Sequence, residues 1–433
     1  MKKRNHWNKL DNAAKIFPSA TSKQDTKVMR ITLEMNEQID SAALQCALNS
    51  TIKQFPVFQS TLKRGLFWYY LEFSAIEPVV KEESTTPCST LYIDKEQLLF
   101  EVTYYKNRLN LEAHHSLTDG TGAYEFMQNL LMHYLKIKYP QEFYEYEIDT
   151  VSESSLFEKS DDSFDRYYSM QNVKKRFDDI YTGKVHQIKG NKYYEQQMFI
   201  IHGTANAKDV IKKAKEHNAT LTEFLCSILI CSIYKEMKIR ERLKPIIVSI
   251  PVNLRKYFPS LSARNFFTVV HAGHHFDILD ADIDEYDFFK NGLFDSVLES
   301  VKTELSAKLT KESLQKQIDR LMWAEKNFIS RITPLFLKDI TLKAIHHSAQ
   351  QNSTAQISNL GVLPMPDIAK KYIKSIDAVL STGKIQMVVS SYEGVLTLTI
   401  SSKFVNTNIQ KNFYKILANM GIEIVIKSNQ PTV

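Results

Sequence analysis

The stretch LNLEAHHSLTDGTGAYEFMQNLL, Leu109–Leu131, sets two histidines side by side and follows the second, four residues on, with Asp-Gly. Histidine titrates nearest neutral pH of all side chains, so a pair of them close to a carboxylate points to proton transfer or to metal binding. The stretch also changes its period. RLNLEAHH (108–115) alternates as a strand does, with Leu109, Leu111, Ala113 and His115 on one face and Asn110, Glu112 and His114 on the other. AYEFMQNLLMHYLKI (123–137) instead places Phe126, Met127, Leu130, Leu131, Tyr134 and Leu135 on one helical stripe. A strand running into a helix puts His115, on the inward face, at the strand end, where functional groups gather in α/β folds. Asp119-Gly120 and Gly122 supply the turn chemistry for so tight an exit.

The same residues also fit a purely structural reading, in which a strand-end histidine is a hydrogen-bonded core residue and Asp-Gly is a steric choice. Two internal comparisons bear on this. His274-His275 and His346-His347 are doublets as well, yet neither has an aspartate four residues after its second histidine, and both are assigned to structure or solvent.

Working outward, QLLFEVTYY (97–105) pairs with the histidine strand through a Lys-Asn turn as a hairpin. Before it, KVMRITLEMN (27–36) reads as a strand, DSAALQCALNSTIKQF (40–55) as a helix and STLKRGLFWYYLEF (60–73) as a strand, so the first half is mixed α/β. From Val151 to about Lys192 the chain turns polar and loses its period, as a crossover between two lobes does. The second half restarts with the strand EQQMFIIHGT (195–204) and a helix around 207–217. A capping box, Thr220 to Glu223, precedes an apolar helix. The strand PIIVSIPV (245–252) follows, then long amphipathic helices over Asp282 to about Ile345, a hairpin of two strands (384–404) and a last helix. Lobes of 1–175 and 176–433 are expected, since 433 residues exceed one ordinary core.

Composition narrows the function classes. Apolar residues make up 43% and charged residues 24%, the balance of a packed globular protein. The net charge of +6 arises from 55 basic and 49 acidic residues that are interspersed, which does not form the basic stripe of a nucleic-acid binder. Four scattered cysteines without a CxxC pair read as packing residues of a reducing compartment. No apolar run follows the basic first residues, and the longest, FLCSILICSIY (224–234), is about half the ~20 residues of a membrane helix. A soluble, cytoplasmic protein without stable membrane insertion is therefore expected.

Metal binding is disfavoured because adjacent strand residues face apart and no HExxH or Cys/His cluster adds ligands. GxSxG, P-loop and full GxGxxG signatures are missing. His114 with Asp119 matches the HxxxxD spacing of glycerolipid acyltransferases, but their further Gly-rich block is not present.

His114-His115-Ser-Leu-Thr-Asp119-Gly120 resembles the HHxxxDG motif of the chloramphenicol acetyltransferase and condensation-domain superfamily. LDNAAKIFPS (10–19), PVNLR (Pro251–Arg255) followed by Asn265, and ISNLG (Ile357–Gly361) are similar to that superfamily in order and position. The combination is most similar to its free-standing alcohol acetyltransferase-like branch. The resemblance implies an α/β fold of two chloramphenicol-acetyltransferase-like lobes, with mixed sheets flanked by helices and an active-site tunnel between them. It implies that His115 is the general base, that Asp119 is mainly structural and paired with an arginine, for which Arg255 is a candidate, and that Gly120 completes the motif. It also implies that Ser358 and Asn359 line the tunnel, where a side chain or backbone N–H stabilises an oxyanion. His114, Arg255 and Asn265 are site-lining or structural, and for PVNLR and Asn265 plain strand-end and turn chemistry stays open.

Under this resemblance the chain moves an acyl group, acetyl or another short one, from acyl-CoA as co-substrate to an alcohol, with no bound cofactor or metal. The Asp-Phe-Gly-Trp-Gly block of plant acyltransferases and an adjoining carrier segment are both missing, which favours acyl-CoA over a modular condensation reaction. Two alternatives remain: a condensation-type enzyme joining an acyl group held by a carrier protein to an amine, and a non-catalytic ligand-binding relative.

Overall fold

The computed structural model describes residues 7–91, 96–148, 158–169, 184–193, 197–276 and 292–429. The fold is α/β, with two mixed sheets flanked by helices and a small antiparallel sheet of Trp7–Lys9, Tyr69–Phe73 and Ser60–Arg64. The first mixed sheet runs in the order Ile373–Leu380, Val28–Met35, Arg108–His114, Phe100–Tyr105 and Lys81–Glu82. The second runs Phe267–His274, Ile246–Asn253, Ala355–Val362, Ile385–Tyr392, Val395–Ser402, Phe199–Asn206 and Val425–Ser428. Strand Ile373–Leu380, from late in the chain, thus pairs antiparallel with Val28–Met35 and closes the edge of the first sheet. Each sheet has its own apolar core.

The histidine strand is fixed on both sides, with Val28 opposite His114 in one neighbour and Phe100 opposite Ala113 in the other. Its hairpin turn places Lys106 at φ 54°, a left-handed conformation. The helix that follows, Gly120–Lys138, buries its entire predicted stripe from Phe126 to Leu135. Phe126 stacks on Phe58 at 4.3 Å between ring centroids and meets Phe55 and Phe100 edge-on. Truncating such a buried aromatic costs about 3–5 kcal/mol, so this cluster anchors the helix whose first turn borders the site. In the second core, Thr220 and Glu223 form the predicted capping box of helix Leu221–Lys235. The predicted C-terminal hairpin turns at Glu393-Gly394, both with positive φ, as a tight two-residue turn requires.

Several readings change. STLKRGLFWYYLEF is two strands, Ser60–Arg64 and Tyr69–Phe73, because Gly65 turns back on itself with its N–H donating to the Trp68 carbonyl at 3.1 Å. Asp119 and the two glycines are not a turn: Asp119 is the N-cap of the helix, its carboxylate accepting from the N–H of Thr121 and Gly122 at 3.1 Å each. Of the cysteines, Cys88, Cys226 and Cys231 are buried packing residues but Cys46 is exposed. Much of the expected crossover (149–157 and 170–183), the start of the strand at 195–196 and the first part of the helical region (282–291) lie outside the described residues. Helices occupy Leu293–Lys308, Lys311–Lys326, Phe328–Ile332 and Leu335–Gln351.

Candidate active site

The end of the histidine strand faces a cavity of about 120 Å³, several times the roughly 30 Å³ share of one water molecule. Both mixed sheets line it: Met29, Ile31, Ala378 and Leu380 come from the first, and Pro251, Phe267, Leu360 and Val388 from the second. Its polar lining is Arg30, His115, Asp119, Thr121, Asn253, Lys256, Ser358 and Asn359, with Gly120 beside them. The cavity is a mostly apolar slot with these polar groups set into its wall.

The two histidines have opposite surroundings. His114 is fully buried. The Ser116 N–H donates to its Nδ1 at 3.1 Å, so Nε2 carries the proton and donates to Thr21 Oγ1 at 2.9 Å, whose hydroxyl in turn donates to the Phe17 carbonyl at 2.7 Å. Both ring nitrogens are consumed by the protein. Burial, helped by His115 and Lys27, pushes the His114 pKa down to about 3, so the ring is neutral. The expectation that His115 is the inward member is thus reversed in burial: His115 stands one residue past the strand and opens on the cavity, while His114 is sealed in.

His115 uses one nitrogen only. Its Nδ1 lies 3.1 Å from Asn265 Oδ1. The Asn265 amide group donates from Nδ2 to the His115 carbonyl at 3.0 Å and to Asp11 Oδ2 at 3.2 Å, and no rotation of the amide satisfies both acceptors except the one that turns Oδ1 toward the ring. An oxygen at that position accepts, so Nδ1 carries the proton and Nε2 is left as a bare lone pair. Among the described residues Nε2 has no protein hydrogen-bond partner. Phe17 stacks on the ring at 4.5 Å and Phe267 leans over it at 5.5 Å. Burial lowers the His115 pKa, opposed by the Asn265 hydrogen bond and the Asp119 charge, which keeps the imidazole neutral near pH 7.

Asp119 does not touch the imidazole through a hydrogen bond. Its second oxygen pairs with Arg255 Nη1 at 2.7 Å and accepts the Phe266 N–H at 2.9 Å. Arg255 also donates to the carbonyls of Ser262 and Arg264 and to Asn253 Oδ1. Four donors on one buried carboxylate, two from its own helix and two from the distant 255–266 segment, clamp the two halves of the chain together beside His115. The glycines permit the approach. A Cβ on Gly122 would fall 2.0 Å from the Ala263 carbonyl, and one on Gly120 would fall 2.9 Å from Leu360 Cδ2.

Ser358 and Asn359 both line the cavity, and the Asn359 side chain is the more engaged of the two. Asn359 donates to Thr222 Oγ1 at 2.9 Å and accepts from the Gly361 N–H at 2.8 Å across a bulge in its strand. Asp11, Phe17, Thr121, Asn253, Lys256 and Phe267 belong to the site without having been singled out from sequence. Asp11 and Phe17 lie in LDNAAKIFPS, where nothing in the residue types alone marks either one.

With this geometry in place, the comparisons are direct. The alcohol acetyltransferase family model matches residues 101–418. The chain belongs to the alcohol acetyltransferase family. The matched range includes His114 to Gly120, Arg255, Asn265 and the Ser358-Asn359 strand. Solved structures agree in fold. TRI101 from F. graminearum, complexed with coenzyme A and T-2 mycotoxin, superposes with a TM-score of 0.65 at 11% identity, over 97% of this chain and 100% of that one. The TRI3 trichothecene 15-O-acetyltransferase from Fusarium sporotrichioides gives 0.64 at 12% identity, over 96% and 94%. The first condensation domain of the CDA synthetase gives 0.59 at 12% identity, over 96% of each chain. Comparison with curated proteins finds no match. Among the described residues of this family member, no helix is long and apolar enough to cross a membrane.

Proposed function

We propose that this chain transfers an acyl group from acyl-CoA to an alcohol, with His115 as general base, in a tunnel between an N-terminal lobe (1–175) and a C-terminal lobe (176–433) that lends strand Ile373–Leu380 to the first sheet. The observation that carries the reading is the state of His115: Nδ1–H is held by Asn265, and the unprotonated Nε2 belongs to a ring that lines the cavity. A base so prepared takes the acceptor hydroxyl proton as the oxygen attacks the thioester carbonyl. The Ser358 hydroxyl, on the cavity wall, donates to the oxyanion of the tetrahedral intermediate. Collapse breaks the carbon–sulfur bond, and the imidazolium proton leaves on the CoA thiol. General-base help of this kind is worth about 10²–10⁴ in rate.

Coenzyme A in the TRI101 complex supports acyl-CoA as the donor here. Lys256, which lines the cavity, supplies a cation for an anionic group of the donor. The apolar slot favours an acceptor or acyl chain of hydrocarbon character. The test is release of free thiol from acetyl-, butyryl- and octanoyl-CoA in the presence of pooled alcohols and, separately, pooled amines. Turnover with alcohols and free acyl-CoA is expected. Transfer that needs a carrier-bound acyl group and an amine would establish the condensation reading instead.

A further inference from the structure

Helices Phe328–Ile332 and Leu335–Gln351 lie on the outside of the molecule with their apolar side chains turned away from it. Leu335 and Lys338 are the only fully buried residues of the second helix. Phe336, Leu337, Ile340 and Ala344, at positions i, i+1, i+4 and i+8, form a continuous outward stripe of all-exposed residues. Phe328 is 73% exposed, Ile329 70% and Ile340 64%. The tip of the hairpin 60–73 extends the face: Leu66, 73% exposed, accepts the Leu335 N–H at 2.8 Å. Large apolar side chains grouped in this way mark an interaction surface.

The charges say what kind. Between Phe328 and Gln351 the chain has three cations, Arg331, Lys338 and Lys343, and one anion, Asp339. Lys338 is buried under Trp68, and Asp339 is engaged by Ser19, Arg64 and Tyr69. The charges left on the exposed face are therefore Arg331 and Lys343, and among the described residues neither makes an ion pair. A second copy docking by a two-fold axis would bring four cations and no unpaired anion into one interface. Anionic headgroups would neutralise them while the stripe enters the acyl boundary, the arrangement of an interfacial helix.

We propose that this face docks on the surface of an anionic lipid bilayer. The helix behind it connects to the site. Ser19 Oγ donates to Asp339 Oδ1 at 2.6 Å, in the short helix Phe17–Ala20 whose Phe17 stacks on His115. Lys27, whose carbonyl accepts the His115 N–H, reaches His346 Nε2 at 3.2 Å. The docking face is thus joined by direct contacts to two segments that border His115. The docking itself does not depend on the transfer chemistry.

Co-flotation with vesicles of phosphatidylcholine alone or with added phosphatidylserine tests it, using the full chain. Wild type is expected to float with the anionic vesicles only, and less so as salt rises. Phe328→Ser/Ile340→Ser and Arg331→Glu/Lys343→Glu should each stay with the soluble fraction while melting at the wild-type temperature, since all four positions are exposed. Equal flotation with neutral vesicles, no flotation of wild type, or retained flotation of either double variant overturns the proposal. So does a concentration-dependent dimer that either double variant abolishes.

Discussion

His114 and His115 are the same residue type, adjacent in the chain, and the protein treats them in opposite ways. His114 has a backbone N–H on one ring nitrogen and a threonine hydroxyl on the other, with no face left for a substrate. His115 has an asparagine on one nitrogen and the cavity before it. Reactivity at neutral pH follows from an unspent lone pair, and the difference lies in how many partners the surrounding loops bring. Asp119 belongs to the first kind of role: all four of its contacts hold chain segments together.

The largest effect expected of this contrast is at His115. His115→Ala should lower turnover by about 10²–10⁴ with little change in melting temperature. His114→Ala should do the reverse, because it strands the buried Ser116 N–H, at about 1–3 kcal/mol, and takes away the donor to the Thr21 hydroxyl. Turnover and thermal melts on the two purified variants read this directly; a fully active His115→Ala ends the contrast.

Next in size is the clamp. Asp119→Asn removes one partner of a buried ion pair and should cost about 3–5 kcal/mol of stability, seen in denaturant unfolding, together with activity. Arg255→Met should cost less in the Asp119→Asn background than in wild type, although it still strands the Ser262 and Arg264 carbonyls, and the difference measures the coupling of the pair. Wild-type stability with a purely kinetic defect would instead mean that Asp119 orients His115.

The subtlest test concerns Asn265. With the His115 pKa held below its ordinary 6.5, turnover should be flat at neutral pH and fall only as pH drops through that lowered value. Asn265 raises the pKa by supporting the imidazolium, so Asn265→Ala should move the acid limb to still lower pH and weaken the base, lowering kcat. A limb that stays in place would show that Asn265 only packs. Stability has the same sign. His114 folds neutral with a pKa near 3, so its contribution is complete above about 6.5 and is lost as pH falls from there toward 3.

What the sequence determined by itself is whatever rests on local period and spacing. The alternation of RLNLEAHH, the stripe from Phe126 to Leu135, the capping box at Thr220 and the HHxxxDG spacing are properties of neighbouring residues, and neighbours are enough to set them. The outward helix escaped that reading because a stripe of four apolar residues does not announce which side faces the core. Only the tertiary structure decided that Asp119 caps a helix and holds Arg255, that Asn265 and Asp11 settle which nitrogen of His115 carries the proton, and that strand Ile373–Leu380 closes the first sheet. Apart from the cap itself, each of these joins residues more than a hundred positions apart. Their geometry depends on packing both cores at once, and no window along the chain contains it.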